Sequence, residues 1–489
     1  MEKIEKVIAE KVKQEGGRTF YVGGYVRDKL LGIDNKDVDI EVHGIEADKL
    51  YSILETIEKP LTYGNSFGIY SLKGHNIDIA LPRSEKCIGN KHTDFRIDVD
   101  PFIGYKKAAK RRDITINALM QDVLTDEILD YYHGLDDLKN KIIRHVDDES
   151  FIEDPLRVLR IAQFASRFEF TVAEETINLC RTMDLTTLSR ERVEEELRKA
   201  LLKGKKPSIF FAVLKEMNQL DYWFKEIKEL ENIPQDPIYH PEGNVYIHTM
   251  QVIDRGVMYN PSFEFMLLCL THDFGKIVCT TVDSSSSDSS PIRIHAYGHE
   301  TEGLPIIETF IKRITNKKDI IKYLKNMVPL HMEPNKYAAD KSAIKKTNKM
   351  FYDAYNEIDL INFSYCDRGN ENNKEFLMER YNHYLEMMKK PYVSGDDLIE
   401  AGFIPDDKFK KLIEYATKLR MAEVDKESAL KQIRKTPTAI IRKNRATPSS
   451  SEYKSSKIIT GANEKQHKIT PIVLDLDACF LSGYNSSFK

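Results

Sequence analysis

The hydrophobic pattern of this chain changes period once, and that change limits what it can fold into. Before about residue 145 the apolar residues alternate over short stretches, "TFYVGG", "DVDIEV", "FGIYSL" and "NIDIAL". This is the two-residue period of half-buried strands. Helical patterns, "YVRDKLLG" and "ADKLYSILETIEK", lie between them. From about 150 the spacing lengthens to that of amphipathic helices, in "PLRVLRIAQFASRF", "AEETINLCRTM" and "SRERVEEELRKALL". The pattern predicts a mixed-sheet α/β unit followed by all-α units.

At 489 residues the chain has room for about three domains. The expected divisions are 1–145 (α/β head), 146–230 (helical neck and body), 231–390 (a His-rich helical domain) and 391–440 (a short helical segment). Residues 441–489 are rich in Ser, Lys and Thr and read as a disordered tail. "DSSSSDSSP" reads as a surface loop inserted into the third unit. A formal net charge of −4 gives no global attraction to nucleic acid, so any RNA binding must come from local basic patches. Six cysteines without a CxxC pair argue against a disulfide framework or zinc–thiolate site. The N-terminal "MEKIEKVIAEKVKQEGG" alternates charge along a helix and lacks an apolar core, and no long apolar run follows. A soluble, cytoplasmic protein is expected.

Gly23 and Gly24 lie between a strand and a helix, where bare backbone and a helix N-terminus offer N–H groups to a phosphate. Asp37 and Asp39 follow at i and i+2. On a strand this spacing turns both carboxylates to one face, as sharing divalent cations requires. Glu41 continues that face as a bystander, and Asp78 in "NIDIA" is a candidate third acid. "KKAAKRRD" places Lys106, Lys107, Lys110, Arg111 and Arg112 before Asp113, cations suited to a triphosphate and an RNA backbone. Asp113 is placed to accept from a ribose hydroxyl.

"GGYVRD…KDVDIEV", "RRDITINAL", "EDPLRVLRIAQFASRF" and "RERVEEELRKAL" occur in one order. Together they resemble the class II (bacterial-type) tRNA nucleotidyltransferases, the CCA-adding enzymes of the polymerase-β superfamily. The resemblance implies a polymerase-β-like head on a helical neck and body. It implies Asp37 and Asp39 as catalytic Mg2+ ligands, with Gly24 and Arg27 on the triphosphate. Arg112 and Asp113 would contact ribose and phosphates, and Asp154, Arg157 and Arg160 the base and the rest of the nucleotide. The partners implied are CTP, ATP and the tRNA 3′ end. The reaction implied is in-line attack of the RNA 3′-hydroxyl on the α-phosphate, assisted by two magnesium ions, with pyrophosphate leaving. Ala108 stands where the family usually carries an acid.

Within "IEDPLRVLR", Asp154 also suits a helix N-cap with Pro155 at the first helical position. Its pairing with Arg157 adds a second reading. Cytosine and adenine both present an amino donor beside a ring-nitrogen acceptor. Asp accepts from the first and Arg donates to the second, whereas uracil and guanine present the reverse order. Glu153 is the expected brace for Arg157.

His240, His248, "THDFGK" (His272, Asp273), His295, His299, His331 and Asp367 crowd the third unit. "MLLCLTHDFGK" resembles the HD-superfamily phosphohydrolases, and the motif order resembles the multifunctional CCA proteins. That resemblance implies one metal held by His248, His272, Asp273 and Asp367, with His299 and His331 completing a second site. Imidazole with carboxylate suits a transition metal (Ni2+, Mn2+ or Co2+) and metal-assisted hydrolysis of phosphate esters, including 2′,3′-cyclic ones. A degenerate HD fold serving as a scaffold is the opposing reading.

Bacterial-type poly(A) polymerases and split CC- or A-adding enzymes share the head motifs. "YGNSFGIYSL" lacks the arginine-rich signature of the former, and "LPRSEKCIGNKHTDF" supplies the loop that CC-adding enzymes lack. A non-catalytic tRNA-binding protein is the remaining alternative, and it gives no reason to retain both sets of metal ligands.

Overall fold

The computed structural model describes residues 3–62, 68–87, 95–259, 261–283, 293–405 and 409–436. The middle of the expected loop "LPRSEKCIGNKHTDF", the Ser-rich insertion and the expected tail lie outside the described residues.

The alternating segments form nine strands: β1 (Arg18–Val22), β2 (Val38–His43), β3 (Pro60–Thr62), β4 (Ile69–Leu72), β5 (Ile77–Ala80), β6 (Arg83–Cys87), β7 (Phe95–Val99), β8 (Met120–Asp122) and β9 (Ile128–Leu129). Seven of them make one mixed sheet in the order β3-β4-β5-β2-β1-β8-β9, and β6 pairs with β7 separately. The alternation gives the sheet two different faces. Ile40 and Val42 of β2 join Tyr21, Ile77 and Ile79 in a core closed by the helices Ile4–Gln14 and Ala47–Glu55. The opposite face carries Asp39, Glu41 and His43, with Phe20 paired across from Glu41. On this face Phe20 and Val22 meet Ala109, Ala118 and Met120, while Asp39 stays half-buried.

Among the described residues, the rest of the chain is helical apart from two small ladders that the periodicity did not foretell. Ile142–Ile143 pairs in parallel with Thr171–Val172, and Thr281–Asp283 pairs antiparallel with Arg293–His295. One hydrophobic core runs from Ile114 through Phe210, Leu230, Val245 and Phe363 to Tyr384, without a break at the expected 230/231 division. Residues 393–433 have a core of their own, built on Leu398, Phe403, Leu412 and Ile433. Among the described residues no helix is long and apolar enough to cross a membrane.

Candidate active sites

The head site forms where the open sheet face meets the neck. Gly23 takes φ +63° at the turn from β1 into the helix Gly24–Leu30, a conformation that favours glycine. A Cβ there would lie 3.2 Å from Arg112 Nη1 and 4.0 Å from Asp39 Oδ2, so the glycine turn sits between the two. Asp39 is half-buried on β2 and stands level with Asp78 across the parallel β2–β5 ladder. Burial raises its carboxyl pKa and Arg112 opposes, while Asp78 and Asp37 add to the rise. Such mutual repulsion is what a cation between the acids would relieve. Asp37 precedes β2 by one residue and is exposed, with its backbone N–H donating to Asn35 Oδ1 at 3.1 Å.

Glu41 is a structural anchor. It is 1 % exposed and accepts from Arg111 at 2.8 Å and Arg112 at 3.4 Å, with His43 Nε2 at 2.9 Å. A carboxylate surrounded by these groups stays ionised despite its burial: desolvation pushes its pKa up, and His43 and the two arginines push it further down. It thereby holds the "RRD" segment against the sheet. Ala108 is buried.

Asp113 is buried. Its Oδ1 accepts from Ile114 N–H and Asn117 Nδ2, both at 2.9 Å, and Oδ2 accepts from Arg160 Nε at 2.8 Å. Burial alone would raise its pKa, but Arg160 and Asn117 hold it at about 2. Arg27 is buried and turned inward, donating to Asp28 at 2.8 and 2.6 Å and to Asn117 at 2.5 Å. Its guanidinium packs 4.7 Å from the Phe168 ring centre, while Arg160 packs 5.1 Å from Phe164. Phe164 and Phe168 stand one turn apart on the helix Leu156–Phe168, so these cations dock the head onto the neck.

Asp154 and Arg157 flank the start of that helix. Asp154 Oδ1 accepts from Leu156 N–H at 3.1 Å and Pro155 has helical backbone angles (φ −57°, ψ −21°), so Asp154 caps the helix with Pro155 at its first helical position. Its other oxygen accepts from Arg192 at 2.7 Å. Arg157 donates to the backbone carbonyls of Ser150 at 2.5 Å and Arg111 at 2.9 Å. Those two carbonyls, and not the exposed Glu153, are the brace. Sequence reasoning missed Arg192 and Asn117. Arg192 stands in the quoted "RERVEEELRKAL", but nothing local ties it to Asp154.

The second site is buried in the helical region. His248 comes from the helix Val245–Gly256, and His272 and Asp273 follow the helix Phe263–Thr271. His299 opens a short helix, His331 ends Lys318–Leu330, and Asp367 lies near the end of Glu357–Arg368. Gly275 permits this convergence, since a Cβ on it would stand 1.9 Å from the His299 carbonyl oxygen.

Asp273 lies between two triads. Its Oδ2 is 3.8 Å from His248 Nε2 and 3.3 Å from His272 Nε2, and its Oδ1 is 3.3 Å from His299 Nε2 and 3.9 Å from His331 Nε2. Asp367 Oδ1 is 3.0 Å from His248 Nε2. The outer nitrogens are all engaged. Nδ1 of His272, His299 and His331 meets the carbonyls of Cys269, Ala296 and Val328 at 3.0, 2.7 and 2.6 Å. Nδ1 of His248 meets Glu242 at 2.8 Å. Carbonyls and carboxylates only accept, so each Nδ1 carries a proton and each Nε2 faces inward, free to ligate a metal once any second proton, such as the one His248 shares with Asp367, is displaced. His272 Nε2 is buried with no hydrogen-bond partner. Such a donor set fits transition metal ions.

Ligand atoms of His248, His272 and Asp367, and of Asp273, His299 and His331, form two clusters each within 4.8 Å. A third joins His240, Glu242 and His248. Burial pulls His240 down to about 4. Burial opposes protonation of His248 too, yet Asp367 and Glu242 raise it to about 9. His295 pairs with Asp283 at 3.2 Å and belongs to none of these three groups. Glu242 gave no signal in the sequence beyond its place in "HPEGN".

A mixed-sheet head on a helical body is also the fold of solved CCA-adding enzymes. The *Thermotoga maritima* CCA-adding enzyme complexed with tRNA matches over 88 % of this chain and 94 % of its own, with a TM-score of 0.58 and 19 % identity. The *Bacillus stearothermophilus* enzyme in complex with CTP matches over 88 % and 96 %, with a TM-score of 0.61 and 19 % identity. Residues 19–144 match the poly A polymerase head domain family. The multifunctional CCA protein of *Mannheimia succiniciproducens* is 35 % identical over 332 residues, covering 65 % of this chain and 74 % of the relative. That of *Pasteurella multocida* is 36 % identical over 301 residues, covering 59 % and 67 %. The chain belongs to the multifunctional CCA protein family.

Proposed function

We propose that this protein builds and repairs the 3′-terminal CCA of tRNA from CTP and ATP, without a nucleic-acid template. The observation that carries this reading is the continuity of the head site: Asp39, the Gly23 turn and Arg112 adjoin one another, and Arg111 and Asp113 tie the same segment to Arg157 and Arg160. Acids for metal, bare backbone for phosphate and a polar pair for the base thus share one wall. Nucleotidyl transfer in this family depends on divalent metal. Here Asp37 and Asp39 would hold Mg2+, which supplies activation of the RNA 3′-hydroxyl and neutralises charge on the departing pyrophosphate.

The protein's own groups do the rest. Gly24 and Arg112 receive the triphosphate, with Arg27 shaping the turn from behind. Asp113 and Arg160 order the ribose side. Asp154 and Arg157 read the pairing edge of cytosine or adenine, and a mismatched base leaves buried polar groups unpaired. In this assignment residues 1–145 carry out transfer and 146–230 read the base.

Residues 231–390 form a metal-dependent phosphohydrolase, acting on phosphate esters that include 2′,3′-cyclic ones. His248, His272, Asp273 and Asp367 would hold one transition metal ion, Ni2+, Mn2+ or Co2+. His299 and His331 would hold a second together with Asp273. Four inward Nε2 atoms around one two-faced carboxylate support this reading over a scaffold.

The test is incubation with tRNA lacking its 3′ end and with CTP, ATP, both, or neither. Full CCA with both nucleotides and CC with CTP alone are expected. A long adenosine ladder would instead identify a poly(A) polymerase, and addition of A alone an A-adding enzyme.

A further inference from the structure

We propose that the cavity at the β4–β5 turn of the head receives the 3′-terminal nucleotide of the tRNA being extended, its hydroxyl toward Asp78, its phosphate toward Lys73 and its base over Leu61. This rests on the nucleotidyl-transfer reading of the head. The cavity measures about 390 Å³, the size of a small-ligand pocket, and its lining includes Asp37, Asp78, Leu61, Ser71 and Lys73. The strand order fixes where each reactant can lie. The glycine turn follows β1, the acids belong to β2 and β5, and β4 and β3 continue the sheet beyond them. Cross-strand partners share a face, so Asp39, Asp78, Ser71 and Leu61, level with one another across three ladders, form one row from the acids to the sheet edge. In the transfer step the bond to the α-phosphate forms opposite the bond to pyrophosphate that breaks. With the triphosphate on the β1 side of the acids, the strand end that brings the 3′-hydroxyl belongs on the β5–β4–β3 side.

Charge along the cavity gives the direction of entry. Asp37 and Asp78 are exposed to it. They repel a second triphosphate but suit an unphosphorylated strand end, whose neutral hydroxyl can donate to a carboxylate. Lys73 stands two residues beyond Ser71, about 7 Å along the strand direction and close to one nucleotide repeat. It is exposed and makes no ion pair among the described residues. Acids at the inner end and an ammonium at the outer end match a nucleotide that enters 3′ end first, with its own phosphate trailing. Leu61, 46 % exposed on the edge strand, ends the same row and is the apolar side chain within reach of the base.

Steady-state CTP addition by the full chain to tRNA lacking its 3′ end separates the two reactants. Lys73→Ala is expected to raise KM for the tRNA about tenfold while KM for CTP stays the same. The slope of log KM against log salt should fall by about 0.7, the share of one single-strand phosphate contact. An unchanged KM for the tRNA, a raised KM with the salt slope unaltered, or a KM for CTP raised in its place each overturns the proposal. p-Benzoylphenylalanine in place of Leu61 identifies the occupant directly. On irradiation with the tRNA and no CTP, crosslinking to the last nucleotide is expected; crosslinking elsewhere on the tRNA, or none, overturns the proposal. Should the wild type extend no tRNA, the transfer reading fails on its own, and the crosslink then decides the cavity by the same two outcomes.

Discussion

Replacing Arg157 by alanine separates base reading from nucleotide binding. Arg157 spends two of its five N–H donors on the carbonyls of Ser150 and Arg111, which orient the guanidinium; the remaining donors can serve a base. The triphosphate is assigned to the glycine turn, Arg112 and the metal, so CTP should still dock. The loss is the penalty against the wrong pairing edge, about 1–3 kcal/mol for one mismatched contact. That corresponds to a fall of about 5- to 150-fold in the CTP:UTP ratio of kcat/KM. The two carbonyls also lose their donors, so the variant should be less stable by about 1–3 kcal/mol. Thermal melting measures that effect separately, and it cancels in a ratio taken on one enzyme. The assay is single-nucleotide incorporation into tRNA lacking its 3′ end, over a range of CTP and of UTP. An unchanged ratio alongside a lowered melting temperature would refute the base-reading role and leave Arg157 as a strut between the head and the neck.

Further outcomes are expected at the two sites. Asp37→Ala should reduce nucleotide incorporation to background with an unaltered melting curve, because this side chain is exposed and outside the sheet; full incorporation by the folded variant refutes the metal-ligand assignment. Asp113 is held at about 2 against an ordinary value near 3.8, so its ionised form favours the folded state. That stabilisation, about 2–3 kcal/mol, is present above roughly pH 4 and disappears as pH falls through 2. Denaturant melts of wild type and Asp113→Asn should therefore differ at pH 6 and converge on acidification. His272→Ala should abolish phosphoester hydrolysis while nucleotide addition persists, and joint loss of both activities in a folded variant would refute two separate sites. Glu242→Gln should weaken metal binding about 10- to 100-fold, measured by competition with a chelator, because Gln can present its amide N–H in place of the acceptor that orients His248.

What the sequence determined by itself was the succession of strand-rich and helical regions, together with the chemistry carried by short contiguous stretches. Two acids two apart on a strand, a glycine pair before a helix, an Asp–Pro helix start followed by arginines, and His-Asp-Phe-Gly-Lys all state their chemistry within a few residues. Periodicity likewise put Asp39 on the face opposite Ile40 and Val42. Only the tertiary structure decided partners and direction. Arg192 reaches Asp154 across 38 positions, and Arg111 reaches Glu41 across 70, turning an apparent bystander into an anchor. The same packing turned Arg27 inward, and it brought His299 and His331 to the far oxygen of Asp273. It also carried one core past residue 230. The physical reason is that period and residue type are local properties of a chain, whereas burial and ion pairing depend on which segments pack together, and a charge in sequence does not specify which opposite charge it will meet.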